Sequence, residues 1–130
     1  MNSAFLLDTH ALLWAIYAPE RLRIEVRTAI DDPATSVFAS AISAYEIALK
    51  HGCRKLDFAA PLAQDFLKEI AVPGFVPLAL TAEHARLAGA LQIPHRDPFD
   101  RMLIAQAQIE QLVLVSNEAL FDRFGVIRFW

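Results

Sequence analysis

Short apolar segments alternate with longer segments of helical pattern along the whole chain, and this alternation limits the available folds more than any other feature. The pattern predicts strands at Ala4–Leu7, Ser36–Ala39, Phe75–Leu78, Leu112–Val115 and Val126–Phe129. It predicts helices at Thr9–Ala18, Glu20–Ile30, Ala44–His51, Leu62–Ile70, Ala82–Leu91, Pro98–Ile109 and Ala119–Phe124. Breakers fall between elements, at Asp31-Asp32-Pro33, Pro73-Gly74 and Ile93-Pro94. Strands separated by helices imply right-handed crossovers, so the expected fold is a three-layer α/β/α domain with a mainly parallel central sheet. At 130 residues the chain is expected to form one such domain, residues 1–130. Apolar residues make up 55% of it, above the usual ~45–50%. Strands buried on both faces need that excess, and an apolar surface awaiting a partner would add to it.

Charge and length exclude several classes. The net charge is −3, from 12 basic against 15 acidic residues, which argues against a protein that coats nucleic acid through its overall field. A local basic rim is still open to it, with Lys50, Arg54, Lys55, Arg96, Arg101 and Arg123 as candidates. Solvated helix faces are the simpler reading of each one alone. The longest apolar run of the first helix, Ala11 to Ala18, is far short of the ~20 residues needed to span a bilayer. No basic residue precedes an apolar stretch at the start, so neither a membrane span nor a signal peptide is expected. A single cysteine, Cys53, excludes an intramolecular disulfide and a cysteine zinc site, and the reducing cytoplasm is the expected setting. No repeat, low-complexity tract or linker is visible.

The chemistry gathers at one edge of the expected sheet. The first strand ends on Asp8, and a helix begins at once. In an open parallel sheet the carboxyl ends of the strands form the ligand crevice, although Asp is also a good helix cap. Ser43-Ala44-Tyr45-Glu46 follows the second strand with the spacing of a capping box. Asp97-Pro98-Phe99-Asp100 opens the helix that feeds the fourth strand, so that helix should start at the same edge. Ser116-Asn117-Glu118 follows the fourth strand. Asp8, Glu46, Asp100 and Glu118 can therefore converge. Taken singly, Glu46 and Asp100 are ordinary helix-start acids, each stabilising the helix dipole by roughly 0.3–1 kcal/mol. Taken together, crowded carboxylates raise one another's pKa, and a cation removes the conflict. Oxygen-only donors suit Mg²⁺ or Mn²⁺ rather than zinc, and such an ion can activate water against a phosphoryl group.

Three segments carry a family resemblance: Leu6-Leu7-Asp8-Thr9-His10-Ala11-Leu12-Leu13-Trp14, Ser43-Ala44-Tyr45-Glu46-Ile47, and His95 through Ala107 with its Asp-Pro-Phe-Asp-Arg run. They resemble a PIN domain and, more narrowly, the VapC-type toxins of bacterial toxin–antitoxin pairs. The resemblance spans essentially the whole chain, including Phe124-Gly125-Val126. It implies a metal-dependent endoribonuclease using Mg²⁺ or Mn²⁺, a cognate antitoxin and a homodimer, with no membrane partner. By the resemblance Asp8 matches the first acid, Glu46 the second and Asp100 the third, while Asp97 matches an accessory acid read as a helix cap. The fourth position departs from the family, which usually has Thr-x-Asp where this chain has Ser116-Asn117-Glu118. The extra methylene of Glu118 leaves open direct coordination, coordination through water, or none. The expected catalytic and metal-binding set is thus Asp8, Glu46, Asp100 and Glu118. Transfer, ribosomal and messenger RNA are all open as substrates.

Other readings compete. His10 and His95 flank the acids, so metal-free cleavage by a histidine pair is an alternative. A catalytically inactive PIN-fold binding module is another. A haloacid-dehalogenase-type phosphatase would carry an acid two residues after Asp8, where His10 stands, and a receiver-like module would pair acids there and keep a late lysine. His51 and His84 are read as surface or packing residues, and Trp14 and Tyr17 as core or interface. For an antitoxin, the chemistry predicts an apolar helix lying along the helix that bears Trp14 and Tyr17. It also predicts an Arg or Lys aimed at Asp8, Glu46 and Asp100.

Overall fold

The sheet begins with Ala4–Leu7 (β1), at the start of the 4–130 segment that the computed structural model describes. Its side chains alternate between faces, as a strand must, and here both faces are covered: Phe5 and Leu7 enter one core, Leu6 the other. Asp8 closes the strand and caps Thr9–Tyr17 (α1), its Oδ1 accepting from the Ala11 amide at 2.7 Å. The chain continues through a 3₁₀ turn at Pro19–Arg21, Ile24–Asp31 (α2), Ser36–Ser40 (β2) and Ala41–Gly52 (α3). A 3₁₀ turn at Asp57–Ala59, Ala60–Gln64 (α4), Phe66–Ala71 (α5), Val76–Leu78 (β3) and Ala82–Ala90 (α6) follow. Pro98–Glu110 (α7), Val113–Val115 (β4), a 3₁₀ turn at Ala119–Arg123 and Arg128–Phe129 (β5) complete the order.

The five strands form one sheet in the order β3-β2-β1-β4-β5, with every neighbouring pair parallel. The α/β expectation holds, and the sheet is parallel throughout. β1 lies at its centre, and the order reverses between β1 and β4, which makes the crevice beyond their carboxyl ends the favoured ligand position. On one face Leu12, Val26, Ile47, Leu62 and Ile70 pack with Phe5 and Leu7. On the other, Leu103, Ile104 and Ala107 of α7 pack with Leu6, Leu114 and Phe121, and α6 lies along α7. Fully burying each such side chain stabilises the fold by about 1.5–3 kcal/mol.

Several expected boundaries move. The Glu20–Ile30 helix is a 3₁₀ turn and a separate α2, and the Leu62–Ile70 helix breaks at Asp65, which caps α5 by accepting from the Lys68 amide. The Ala119–Phe124 segment winds as a 3₁₀ turn, and the last strand shortens to Arg128–Phe129. The largest correction concerns α3. It starts at Ala41, capped by Ser40 through the Ile42 amide, so Ser43 and Glu46 form no capping box and Glu46 falls in the second turn. His84, expected as a surface or packing residue, is a buried packing group: it completes a capping box with Thr81 and contacts Glu110 of α7 at 2.9 Å.

Candidate functional site

Each of the four acids expected at the sheet edge reaches it by a different local route. Asp8 stays in register because its amide donates to the Val115 carbonyl of β4 at 3.1 Å. Glu46 projects from α3, the helix that follows β2. Asp100 is the third residue of α7, whose first turn is held by Asp97: its Oδ1 accepts from the Phe99 and Asp100 amides at 2.8 and 3.3 Å. Glu118 leaves β4 through a turn in which its amide donates to Ser116 Oγ at 3.0 Å. All four line one cleft of about 110 Å³, together with Thr9, His10, Lys50, Asp97 and Leu103. A larger groove of about 450 Å³, lined by Leu13, Trp14, Tyr17, Ala18, Arg21 and Phe58, is apolar in character. The groove is the roomier of the two, but the acid-lined cleft holds the ionisable groups that chemistry needs.

The partners of these acids explain their present poses. Thr9 Oγ1 donates to Glu46 Oε1 at 2.7 Å and, its single proton so used, accepts from Ser43 Oγ at 3.0 Å. Lys50 Nζ donates to Glu46 Oε2 at 2.6 Å. His95 Nε2 lies 2.7 Å from Asp100 Oδ2, its ring stacked on Phe124. His10 is exposed, with Nδ1 4.0 Å from Glu118 Oε1. Burial raises the Asp8 carboxyl to about 6, against the opposing pull of the Ser116 hydroxyl and the Ala11 amide. Burial also raises Asp100, against its contact with His95, and Asp97 and Glu118 push it further up. Two acids that burial has made reluctant to ionise, facing further acids, mark a place that a cation would relieve.

That donor set fits a hard divalent ion in kind, being oxygen from carboxylates. Among the described residues, no three Asp, Glu, His or Cys side chains are gathered tightly enough to grip an ion in the present poses. In these poses Thr9 and Lys50 each donate to an oxygen of Glu46, and His95 is hydrogen-bonded to Asp100. The sequence singles out Ser43 only as a helix cap, whereas it hydrogen-bonds Thr9; for Thr9 the only sequence signal is that it directly follows Asp8. Of the candidate basic rim, Lys50 alone lines the cleft. Arg101 instead turns inward, donating to the carbonyls of Ala88, Gly89, Leu91, Ile93 and His95 at 2.7–3.4 Å, where it caps the end of α6 and ties down the loop before α7.

Fold and cleft together define a parallel α/β protein with a carboxylate-lined site at the sheet's switch point. The PIN domain profile matches residues 5–127, and the chain belongs to that family. No curated protein sequence matches significantly. Among solved structures, the chain is similar to VapBC2 from Rickettsia felis bound to a DNA fragment from their promoter. The TM-score is 0.72 at 17% identity, covering 98% of each chain. It is also similar to DNA-bound VapBC from Salmonella typhimurium, with TM-score 0.67, 19% identity, and 98% and 96% of this and that chain covered. FitAcB from Neisseria gonorrhoeae gives TM-score 0.61 at 19% identity, with 97% and 96% covered.

Proposed function

We propose that the chain is a metal-dependent endoribonuclease toxin of the VapC type, neutralised by a cognate antitoxin. The observation that carries this reading is the gathering of Asp8, Glu46, Asp100 and Glu118 around one cleft. Asp8 and Asp100 would hold Mg²⁺ or Mn²⁺, with Glu46 completing the site and Glu118 extending it. When bound, the ion supplies an activated water and neutralises charge building on the phosphoryl group. The protein's own part is placement. The β1 register and the α1 cap hold Asp8 rigidly, Asp97 fixes the turn that presents Asp100, and Thr9 steers Glu46. The low-dielectric walls behind Asp8 strengthen every charge interaction in the cleft.

The partners in the solved VapBC and FitAcB structures support an antitoxin for this chain. The apolar groove beside α1 has the character an amphipathic antitoxin helix needs, and Trp14 and Tyr17 both line it. A homodimer is part of the same proposal, and Ile24, Leu67, Val72 and Ile127 are among the exposed apolar side chains. No helix of the described residues is long and apolar enough to cross a membrane. The cytoplasm, where RNA substrate and antitoxin would meet, is the proposed setting.

One contact favours a second mechanism: His95 against Asp100 has the geometry of a carboxylate-oriented general base. A single experiment tests both readings. Purified protein is incubated with an RNA panel in Mn²⁺ and in EDTA, beside Asp8→Asn and His95→Ala. The proposal expects cleavage in Mn²⁺, none in EDTA, loss in Asp8→Asn and partial loss in His95→Ala. Cleavage that resists EDTA and vanishes in His95→Ala would transfer the mechanism to histidine.

A further inference from the structure

Lys50 is the only Lys or Arg among the described residues that lines the acidic cleft, which Asp8, Glu46, Asp97, Asp100 and Glu118 also line. It sits one helical turn after Glu46 on α3, and its Nζ donates to Glu46 Oε2 at 2.6 Å. The two partners differ in exposure: the lysine side chain is 37% exposed and the glutamate 12%. The lysine is therefore the more open partner, while the glutamate lies largely inside. The lysine is the more mobile and more exposed partner, so it can leave this i,i+4 contact when a better partner arrives.

An incoming phosphodiester is an anion entering a cleft of five acids. Even with one divalent ion bound, the carboxylates outnumber the positive charge, and a phosphate oxygen needs a donor from the protein. Arg101 is spent on five backbone carbonyls and cannot turn to the cleft without releasing them. Lysine suits an exchanging role, because its flexible stem carries three rotatable donors. We propose that Lys50 is the cleft's phosphate-contacting residue: it neutralises Glu46 in the metal-free protein and passes to an RNA phosphate oxygen once a divalent ion joins the carboxylates. This inference rests on the ribonuclease reading above.

The two halves of this exchange predict opposite effects of one substitution. Lys50→Met removes a charge that competes with the ion for Glu46, so calorimetry on the free protein should find Mn²⁺ bound roughly three- to tenfold more tightly. The same variant should lose at least about tenfold in kcat/KM on a fluorescent single-stranded RNA at saturating Mn²⁺. Its slope of log affinity against log salt should fall by about 0.7, the value of one phosphate contact on a single strand. Lys50→Arg should recover most of the rate. Unchanged cleavage by Lys50→Met would overturn the proposal. So would a parallel loss of Mn²⁺ affinity and activity, which would reduce Lys50 to a strut for Glu46. Wild-type protein that cleaves no RNA in Mn²⁺ would instead overturn the ribonuclease reading, and this inference with it.

Discussion

Asp8 carries two duties that sequence reasoning set against each other. It caps α1 through Oδ1 and it lines the acidic cleft. The two are compatible because a carboxylate has two oxygens, and the cap uses one of them. Burial lifts its pKa from 3.8 to about 6, and the sign of the consequence follows. Between these values the folded protein holds a proton that the unfolded chain has released, so metal-free stability falls as pH rises from about 4 to about 6 and stays low above. The loss is on the order of 2–3 kcal/mol. Asp8→Asn keeps an oxygen for the Ala11 amide and abolishes this penalty. In EDTA it should raise the melting temperature by several degrees at pH 8 and hardly at all at pH 4. Mn²⁺ should then stabilise the wild type at pH 8 but not Asp8→Asn. Equal stabilisation by the substitution at both pH values, in thermal melts, would mean that the carboxyl is not strained by burial.

At the scale of elements, helix starts decide what reaches the cleft. The chain has two serines three residues apart, Ser40 and Ser43, and either one can cap a helix by local chemistry. β2 pairs through Ser40, which therefore becomes the cap, and α3 begins three residues earlier than its pattern predicts. Glu46 thereby loses the helix-start explanation and is left as a cleft residue held by Thr9 and Lys50. For α7 the prediction from sequence stands, with Asp97 as cap and Pro98 in the first turn. Asp97→Ala should therefore cost about 1 kcal/mol of stability, measured by urea unfolding, while retaining much of the cleavage. An Asp97→Ala protein of full stability and no activity would assign Asp97 to the metal instead.

At the scale of the molecule, the acidic cleft and the apolar groove are separate surfaces that share α1: His10 lines the first, and Leu13, Trp14 and Tyr17 line the second. An antitoxin helix in the groove is thus well placed to send a cation toward Asp8, Glu46 and Asp100. A charge inserted into the groove should separate the two functions. Phe58→Glu alters an exposed groove wall and should weaken antitoxin binding by at least about tenfold, read by co-purification and calorimetry, with RNA cleavage by the free protein retained. If the antitoxin carries the expected cation, the complex should also bind Mn²⁺ more weakly than the free chain. Equal Mn²⁺ affinity would leave blocked RNA access as the means of inhibition.

What the residues determined alone is whatever depends on neighbours in the chain. The hydrophobic run of β1, the Asp8 cap, the Asp97-Pro98 helix start and the alternation of strand and helix are short-range patterns, and each is found at or near its predicted position. Tertiary structure decided what depends on distant partners. The breaks at Leu22-Arg23 and Asp65 lie inside apolar patterns that continue across them, so periodicity could not reveal them. The Thr9–Ser43–Glu46 network joins residues more than thirty positions apart. Arg101 could be taken for a rim cation until the end of α6 and the following loop brought five carbonyls to it. Side-chain type sets what a residue is able to do, but which of several equivalent oxygens or carbonyls it meets is settled only when the sheet order brings separate segments together.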